Sequence, residues 1–268
     1  MIRAAVLGSP VGHSLSPLLH KTAYEYLGID GTYEAIDLTP EKARDFFIAA
    51  LEGDWTGFSL TMPLKETIVE VGTELGFEID PVALRMRSAN TLVRKSQTFW
   101  ATSTDRSAFE NLLVGVTKEK VAIIGGGGTA RAALSALDGV AVHIDFLLRT
   151  STRCELLSSI ASYSEINFYP MEHTLENYDL VISTVPAGAS DVIAHTLSCT
   201  VPTFFEVLYK PSPTPLLAKA RELGSRTIDG MDLLVEQAID QISLFTGAPF
   251  DRGILRNQLL SVGRSHLS

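Results

Sequence analysis

Cysteine is scarce in this chain, which limits how the protein can be stabilised. Two cysteines, Cys154 and Cys199, occur among 268 residues, with no CxxC pair and no cluster of cysteine and histidine. Neither a disulfide framework nor a zinc site is indicated, and a reducing, cytoplasmic compartment fits best. Proline and glycine, at 12 and 20 residues, are too few for a disordered or fibrous protein. The sequence predicts a packed protein, long enough for two ordinary domains.

Long apolar runs and a surplus of positive charge are missing as well. The run from Val140 to Leu148 is interrupted by His143 and Asp145 and is far shorter than the roughly 20 residues that span a bilayer. The apolar stretch from Met1 reaches Gly8 too soon for the core of a signal peptide. With 22 Lys and Arg against 31 Asp and Glu, the net charge of −9 repels polyanions. We therefore expect neither a membrane nor a nucleic acid as a partner.

Short apolar segments alternate with amphipathic ones along most of the chain. The first hundred residues predict strands at 2–7, 32–36, 57–62, 88–93 and 98–101, with helices that begin at 16 and 39. The rest predicts helices at about 105–114, 129–138, 151–161, 213–223, 230–246 and 251–265, and strands at 120–124, 141–148, 167–169, 179–184 and 203–207. Strands that alternate with helices predict an α/β fold with mostly parallel sheets. From this pattern the last helices could pack on either domain.

A glycine-rich loop follows the predicted strand at 120–124. The strand runs into the letters GGGGTA, which fit the pattern G-x-G-x-x-A at the start of a helix. Gly125 permits a tight turn, Gly127 lets the backbone approach a pyrophosphate, and Ala130 allows close helix packing. The start of the helix, at Gly128 and Thr129, supplies free amides and a positive dipole. The loop predicts a dinucleotide site, and a purely structural turn is the alternative.

The end of the next predicted strand indicates which cofactor is favoured. There a carboxylate would bind a ribose hydroxyl, whereas an arginine would bind a 2′-phosphate. Arg149 and Arg153 lie four positions apart on one predicted helical face, with Thr150 as a further donor, so NADP is favoured. In the alternatives, both arginines are merely solvated, or Asp145 binds the ribose. Asp145 falls inside the predicted strand, where its side chain would be buried.

Polar residues also collect at predicted strand ends in the first hundred positions, where α/β sheets bind ligands. They are Ser14, Ser16, Thr61, Lys65, Asn90 and the pair Thr104-Asp105. Lys65 follows a strand end that contains a proline, so its ammonium projects from a fixed turn. From the residues alone, Lys65 could equally be an exposed lysine and Asp105 a helix cap.

Ordered motifs along the chain resemble those of the shikimate dehydrogenase family. In the first part they are GSPVGHSLSP from Gly8, SLTMPLKE from Ser59, SANTL from Ser88 and STD from Ser103. Further on they are residues 125–131, the turn Arg149-Thr150, residues 179–186, Glu206 with YKP from Tyr209, and residues 229–237. The motifs are jointly highly specific, and they cover nearly the whole chain.

The resemblance implies a fold, a reaction and a set of site residues. It implies a substrate-binding α/β domain at 1–104, a Rossmann-type NADP domain at 105–240, and C-terminal helices at 241–268 that return to the first domain. The implied reaction is the reversible reduction of 3-dehydroshikimate to shikimate with NADPH, on the route through chorismate to aromatic amino acids, by a monomer or a homodimer. Lys65 and Asp105 are implied as the catalytic pair. Substrate-binding residues are implied at Ser14, Ser16, Thr61, Asn90, Tyr209 and Gln237, and a cofactor contact at Gly230.

The residue types agree with the implied chemistry. Reducing a ketone develops negative charge on its oxygen, which the ammonium of Lys65 can stabilise and protonate. Asp105 would fix the orientation of that ammonium. No metal is required, because a nicotinamide carries the hydride.

Some residues depart from the family's usual pattern. Ser59, Ser103 and Leu148 replace asparagines, and Arg106, Ala108 and Asp232 replace glycines. The changes at Asp232 and after Asp105 keep open a non-catalytic ligand sensor on the same scaffold. A relative that oxidises quinate with NAD is the nearer alternative, and Ser14, Ser16 and Arg149 argue against it.

Overall fold

The computed structural model describes residues 1–267, and by compactness the chain divides into two units. The first unit comprises Met1–Ser107 and Leu234–His266, and the second comprises Ala108–Leu233. The domain boundaries predicted from the sequence, after residues 104 and 240, remain predictions about functional domains.

The first unit is built on a six-stranded mixed sheet. Its strands are β1 (Ile2–Gly8), β2 (Gly31–Asp37), β3 (Gly57–Leu60), β4 (Glu78–Ile79), β5 (Thr91–Lys95) and β6 (Thr98–Thr102). Its helices are α1 (Ser16–Leu27), α2 (Pro40–Glu52), α3 (Leu64–Glu74), α4 (Pro81–Met86), the start of α5 (Thr104–Leu112), and most of α10 (Gly230–Thr246) and α11 (Arg252–Leu267). The strand order is β2-β1-β3-β5-β6-β4. The sheet is mixed, because β5 pairs antiparallel with both β3 and β6, whereas the other neighbouring strands are parallel.

The second unit is built on a six-stranded sheet in which every pair of neighbouring strands is parallel. Its strands are β7 (Lys120–Ile124), β8 (His143–Leu148), β9 (Glu165–Pro170), β10 (Leu180–Ser183), β11 (Thr203–Glu206) and β12 (Arg226–Ile228). Its helices include α6 (Gly128–Leu137), a 3₁₀ turn at Ser151–Arg153, α7 (Cys154–Ile160), α8 (Asp191–Thr196) and α9 (Pro215–Glu222). The order β12-β11-β10-β7-β8-β9 reverses between β7 and β10, and ligands bind at such a reversal.

Aromatic packing forms the core of the first unit. Phe47 of α2 meets Phe58 of β3 and Phe77 edge to face, with ring centroids 5.9 and 6.0 Å apart. Phe77 in turn packs on Phe99 of β6 at 5.4 Å. All four rings are buried. This cluster fixes the helices on the sheet whose strand ends carry the polar residues.

Helix α10 packs directly against the sheet of the first unit. A Cβ atom on Gly57 of β3 would collide with the ring of Phe245, so only glycine permits this close approach. The predicted two-domain α/β fold, with C-terminal helices that return to the first domain, is confirmed. Among residues 1–267, no helix has the length and apolar character needed to cross a membrane.

Two strand ends differ from the prediction for identifiable reasons. Strand β3 ends at Leu60, because the Thr61 carbonyl accepts from Leu64 N at 2.8 Å in a turn through Pro63. Strand β5 begins only at Thr91, because Ser88 N donates to the carbonyl of Ala83 and closes α4. The short elements β4, α4, α8 and β12 were not predicted, since two to six residues show too little periodicity. Helix α3 was also missed, although its buried residues Leu64, Ile68 and Val71 follow a helical spacing.

Candidate active site

Lys65 and Asp105 form an ion pair in the first unit. Lys65 lies in the first turn of α3, which follows β3, and Asp105 lies in the first turn of α5, which follows β6. The Nζ atom of Lys65 is 2.5 Å from Oδ2 of Asp105. Their side chains are 18% and 8% exposed, so the pair is largely shielded from water. The structure thus brings together the two residues predicted as a catalytic pair.

Asn90 connects this pair to the neighbouring helices. Its Nδ2 atom donates to Oδ1 of Asp105 at 2.9 Å and approaches Oε1 of Gln237 at 3.4 Å. Its backbone is held on both sides, since Leu60 N donates to its carbonyl and its own N–H donates to Thr102. Asn90 is buried between β3 and β6, and Gln237 reaches it from α10. Four predicted site residues therefore form one hydrogen-bonded group.

The serines predicted to bind a carboxylate lie at the start of α1. Ser14 Oγ accepts from the backbone N–H of Ser16 at 3.2 Å. Ser16 is buried and hydrogen-bonds the hydroxyl of Tyr33, which also meets Ser59. Burial raises the pKa of Tyr33, so its hydroxyl keeps its proton and can donate. Ser59, which stands where the family usually has asparagine, is thus hydrogen-bonded to the hydroxyl of Tyr33.

Thr61 is the remaining predicted substrate residue of this unit. It lies directly after β3 and is partly exposed. Its N–H donates to the carbonyl of Leu7 at 2.9 Å, and Ser9 N donates to the carbonyl of Met62 at 3.1 Å. These bonds hold the turn before Lys65 against the end of β1.

Helix α10 is anchored by charged side chains of α11. Glu236 is buried and accepts from Arg252 at 2.6 Å and from Arg256 at 2.7 Å. Arg252 also bonds Asp240 at 2.5 Å, and Asp240 meets Ser107 of α5. These bonds fix the position of the helix that carries Gln237.

Several residues around the group were not predicted as site residues. They are His20, Tyr33, Thr91 and Gln241, all buried and all hydrogen-bonded within the first unit. Gln241 follows Gln237 by four positions and therefore shares its helical face, which is a signal the sequence does carry. His20 follows Ser16 by four positions on α1 in the same way.

The glycine loop of the second unit joins β7 to α6. Gly125 has φ +105°, a conformation that favours glycine, and a Cβ there would lie 2.7 Å from Oγ1 of Thr184. Gly127 precedes the first residue of α6, and a Cβ there would meet nothing within 4 Å. Gly128 and Thr129 begin the helix, and Ala130 is fully buried. The open space at a helix N-terminus fits a pyrophosphate.

The predicted phosphate-binding residues lie at the end of β8. Arg149 and Thr150 are exposed there, and Arg153 follows in the 3₁₀ turn. Nη1 of Arg153 donates to the carbonyl of Gly126 at 3.0 Å, so this arginine touches the glycine loop. Asp145 is buried and accepts from Tyr178 Oη at 2.7 Å. Its predicted burial is confirmed, and its carboxylate is already engaged inside the sheet.

Tyr209 and Gly230 lie in adjoining segments of the second unit. Tyr209 is partly exposed in the loop after β11. A Cβ on Gly230 would collide with the backbone of Val207 and Leu208, so the start of α10 lies tightly against this loop. The roles of Tyr209 and Gly230, like those of the other site residues, stay predictions.

Glu206, at the end of β11, hydrogen-bonds the loop that carries Tyr209. Its carboxylate accepts from Leu208 N at 3.3 Å and from Thr214 Oγ1 at 3.2 Å. Thr214 also caps α9. Burial raises the pKa of Glu206 to about 7, against the smaller opposing effect of its hydrogen bonds. A buried, titratable carboxyl group therefore bridges Leu208 and Thr214, on either side of the segment that begins at Tyr209.

Asp232, where the family usually has glycine, takes part in capping α10. Asp229 Oδ1 accepts from the N–H groups of Met231 and Asp232 at 3.1 and 3.2 Å. In return, Oδ2 of Asp232 accepts from Asp229 N at 3.4 Å. This reciprocal arrangement is a capping box, so Asp232 has a structural reason to be acidic.

The parallel sheet, with its glycine loop at the point where the strand order reverses, gives the second unit a Rossmann-type fold. Comparison with known proteins identifies the family. Residues 6–92 match the family described as the shikimate dehydrogenase substrate binding domain. A protein of Exiguobacterium sp. strain AT1b, named shikimate dehydrogenase (NADP(+)), is 31% identical over 261 residues, covering 93% of this chain and 95% of that one. The chain belongs to the shikimate dehydrogenase family.

Solved structures agree with this assignment. The shikimate dehydrogenase of Mycobacterium tuberculosis has a TM-score of 0.86 and 31% identity, covering 97% of this chain and 99% of that one. The shikimate 5-dehydrogenase of Thermus thermophilus in complex with NADP(H) and shikimate has a TM-score of 0.84 and 27% identity, covering 98% and 100%.

Proposed function

We propose that this protein catalyses the reversible reduction of 3-dehydroshikimate to shikimate with NADPH. The observation that carries the proposal is the shielded ion pair of Lys65 and Asp105 beside the amides of Asn90 and Gln237. An ammonium with a fixed carboxylate partner suits proton transfer to a ketone, and neighbouring amides suit a polyol. The names of the relatives, and the ligands of the Thermus thermophilus structure, support the same substrate and cofactor.

Lys65 acts as the general acid in the direction of reduction. Its ammonium donates a hydrogen bond to the ketone oxygen, stabilises the negative charge that develops there, and delivers the proton. The carboxylate of Asp105 accepts from the same nitrogen and fixes its orientation. In the direction of oxidation, the neutral amine of Lys65 takes the proton from the hydroxyl group.

Short polar side chains select the substrate. Ser14 and Ser16 bind its carboxylate, and Thr61, Asn90 and Gln237 bind its ring hydroxyls, with Tyr209 as a further contact. An analogue that lacks a hydroxyl would leave buried donors and acceptors unmatched, which lowers its affinity.

The second unit holds the dinucleotide. The amides of Gly128 and Thr129 would hold the pyrophosphate, Gly125, Gly127 and Ala130 would permit its approach, and Gly230 would contact the cofactor. Arg149, Arg153 and Thr150 bind the 2′-phosphate that distinguishes NADP from NAD. When bound, the cofactor donates or accepts the hydride. The proposed setting is the cytoplasm, on the route through chorismate to aromatic amino acids, with the chain acting as a monomer or a homodimer.

The absorbance of reduced cofactor tests the proposal. The purified protein is offered shikimate or quinate, each with NADP and with NAD. We expect the highest kcat/KM with shikimate and NADP. Preference for quinate with NAD would contradict the proposal, and NADP binding without turnover of either acid would identify a sensor instead.

A further inference from the structure

A chain of buried hydrogen bonds leads away from Asp105 through the first unit, and its direction can be deduced from Asn90. The backbone N–H of Thr104 lies 2.7 Å from Oδ1 of Asn90, and a backbone N–H can only donate. The other end of the amide, Nδ2, faces Oδ1 of Asp105 at 2.9 Å. The orientation of Asn90 is therefore fixed at both ends: its oxygen accepts and its nitrogen donates to the carboxylate.

The number of hydroxyl protons assigns the donors and acceptors among Thr91, Thr104 and Gln241. The hydroxyls of Thr91 and Thr104 lie 3.0 Å apart, and both contact Oδ1 of Asn90, at 3.1 and 3.2 Å. Nδ2 of Asn90 also lies 3.0 Å from Oγ1 of Thr104, so the second proton of this nitrogen goes to Thr104. Thr104 then donates to Thr91, and Thr91 donates to Oδ1 of Asn90, since each hydroxyl has a single proton. Neither proton remains for Gln241, whose nitrogen lies 3.1 Å from Thr91 and 3.3 Å from Thr104. In this arrangement Gln241 donates to the threonines.

The same reasoning assigns the protons of His20. Because the Nε2 atom of Gln241 faces the threonines, its Oε1 atom faces Nε2 of His20, at 3.2 Å. An amide oxygen accepts, so Nε2 of His20 carries the proton. Nδ1 of His20 is then an acceptor for the hydroxyl of Tyr24, 3.3 Å away.

Burial keeps this arrangement in place. His20 is fully buried and stacks on Tyr33 with ring centroids 3.9 Å apart. Burial lowers the pKa of His20 to about 3, so the imidazole is neutral at physiological pH and keeps one donor and one acceptor. The titratable groups that meet the ring are the phenols of Tyr24 and Tyr33, and burial raises the pKa of both.

We propose that His20 and Gln241 are positioning residues for the Lys65–Asp105 pair, acting through a one-way chain of donors that runs from Tyr24 to the Asp105 carboxylate. Each bond of such a chain polarises the next. Its last donor, Asn90 Nδ2, occupies Oδ1 of Asp105 and leaves Oδ2 to Lys65. The inference rests on the proposed function for its effect on catalysis, whereas the direction of the chain is a property of the folded protein alone.

Matched substitutions at His20 separate hydrogen bonding from packing. His20→Phe keeps an aromatic ring on Tyr33 but removes both polar atoms, whereas His20→Gln loses the ring and keeps a donor and an acceptor. We expect His20→Phe to lower kcat roughly fivefold to tenfold with little change in KM, as for the loss of one buried hydrogen bond, and His20→Gln to restore most of the loss. A larger loss in His20→Gln than in His20→Phe would overturn the proposal, because packing would then be what matters.

Gln241→Met and Phe245→Leu provide the second comparison. Gln241→Met interrupts the chain with a side chain of similar length, and we expect the same selective fall in kcat. Phe245 packs on the ring of His20 at 5.8 Å, so Phe245→Leu disturbs the same core without breaking a hydrogen bond. Equal effects of the two variants on kcat, at equal stability to urea, would contradict the proposal.

Nitrogen-15 NMR of histidine-labelled protein tests the chain without any assay of activity. We expect the His20 imidazole to be neutral, with the proton on Nε2 and none on Nδ1. A proton on Nδ1 would overturn the proposal, even if the enzyme were fully active. If the wild-type protein failed to oxidise shikimate, the proposed function would fall, and the NMR result would still decide the direction of the chain.

Discussion

The Nζ atom of Lys65 lies 2.5 Å from Oδ2 of Asp105, although 40 positions separate the two residues in the sequence. Both lie in the first turn of a helix that directly follows a strand, α3 after β3 and α5 after β6. The carbonyl of Lys65 also accepts from Ala89 N at 2.9 Å, which ties its backbone to the segment before β5. The pair is thus held by the sheet, as a preorganised proton-transfer site requires.

Arg149 is expected to distinguish NADP from NAD. Its side chain is exposed at the end of β8, where a guanidinium can bind the 2′-phosphate. Arg149→Ala should weaken NADP roughly tenfold to a hundredfold, as for the loss of a charge-assisted hydrogen bond, and leave NAD almost unchanged. Titration calorimetry with both cofactors measures this. Arg226→Ala, an exposed arginine at the start of β12, is the control, and equal weakening of both cofactors by Arg149→Ala would refute the phosphate contact.

Alanine at two positions of the glycine loop should affect different properties, NADP affinity at Gly127 and stability at Gly125. Gly127→Ala adds a Cβ that meets no protein atom within 4 Å, so stability should be unchanged while NADP binds roughly tenfold or more weakly. Gly125→Ala forces alanine to φ +105° and against Thr184, and should lower the free energy of unfolding by more than about 1 kcal/mol. Urea unfolding and NADP titration of both variants measure this. Unchanged NADP affinity in Gly127→Ala would show that no pyrophosphate lies at that helix start.

Glu206 should make the stability of the protein depend on pH. Burial raises its pKa in the folded protein to about 7, from an ordinary value of 4.5, so the folded state binds the proton more tightly. Its stabilising contribution is complete below pH 4.5 and is lost as the pH rises through 7, a change of about 3 kcal/mol. Relative to Glu206→Gln, the wild-type free energy of unfolding in urea should therefore fall over this range. The same comparison with Glu222→Gln, an exposed residue of α9, should show no such fall.

The sequence predicts some parts of this molecule well because their signals are local. Strand β7 has the predicted bounds, since an apolar run ends at a glycine-rich loop. Lys65 and Asp105 stand out less, because a lysine after a turn and an aspartate before a helix are ordinary residues on a protein surface. Only the resemblance to a family predicted that they act as a pair, and in the structure they are in contact.

The hydrogen-bonded residues behind the pair were beyond prediction for a different reason. His20 and Gln241 meet across 221 positions of sequence, and helical periodicity predicts which face of a helix is buried but not which other helix it meets. Asp232 kept a ligand sensor open as an alternative, because the sequence did not show that it caps α10 together with Asp229. In both cases the missing information was the identity of the contact.

A double-mutant cycle on the ion pair tests the central claim most directly. We expect Lys65→Met and Asp105→Asn each to lower kcat for shikimate oxidation, Lys65→Met by about a hundredfold or more, while the exposed Lys42→Ala has no effect. Because the two side chains act as one unit, the double variant should lose little more than Lys65→Met alone. Losses that simply multiply, or an unchanged rate in Lys65→Met, would contradict the account.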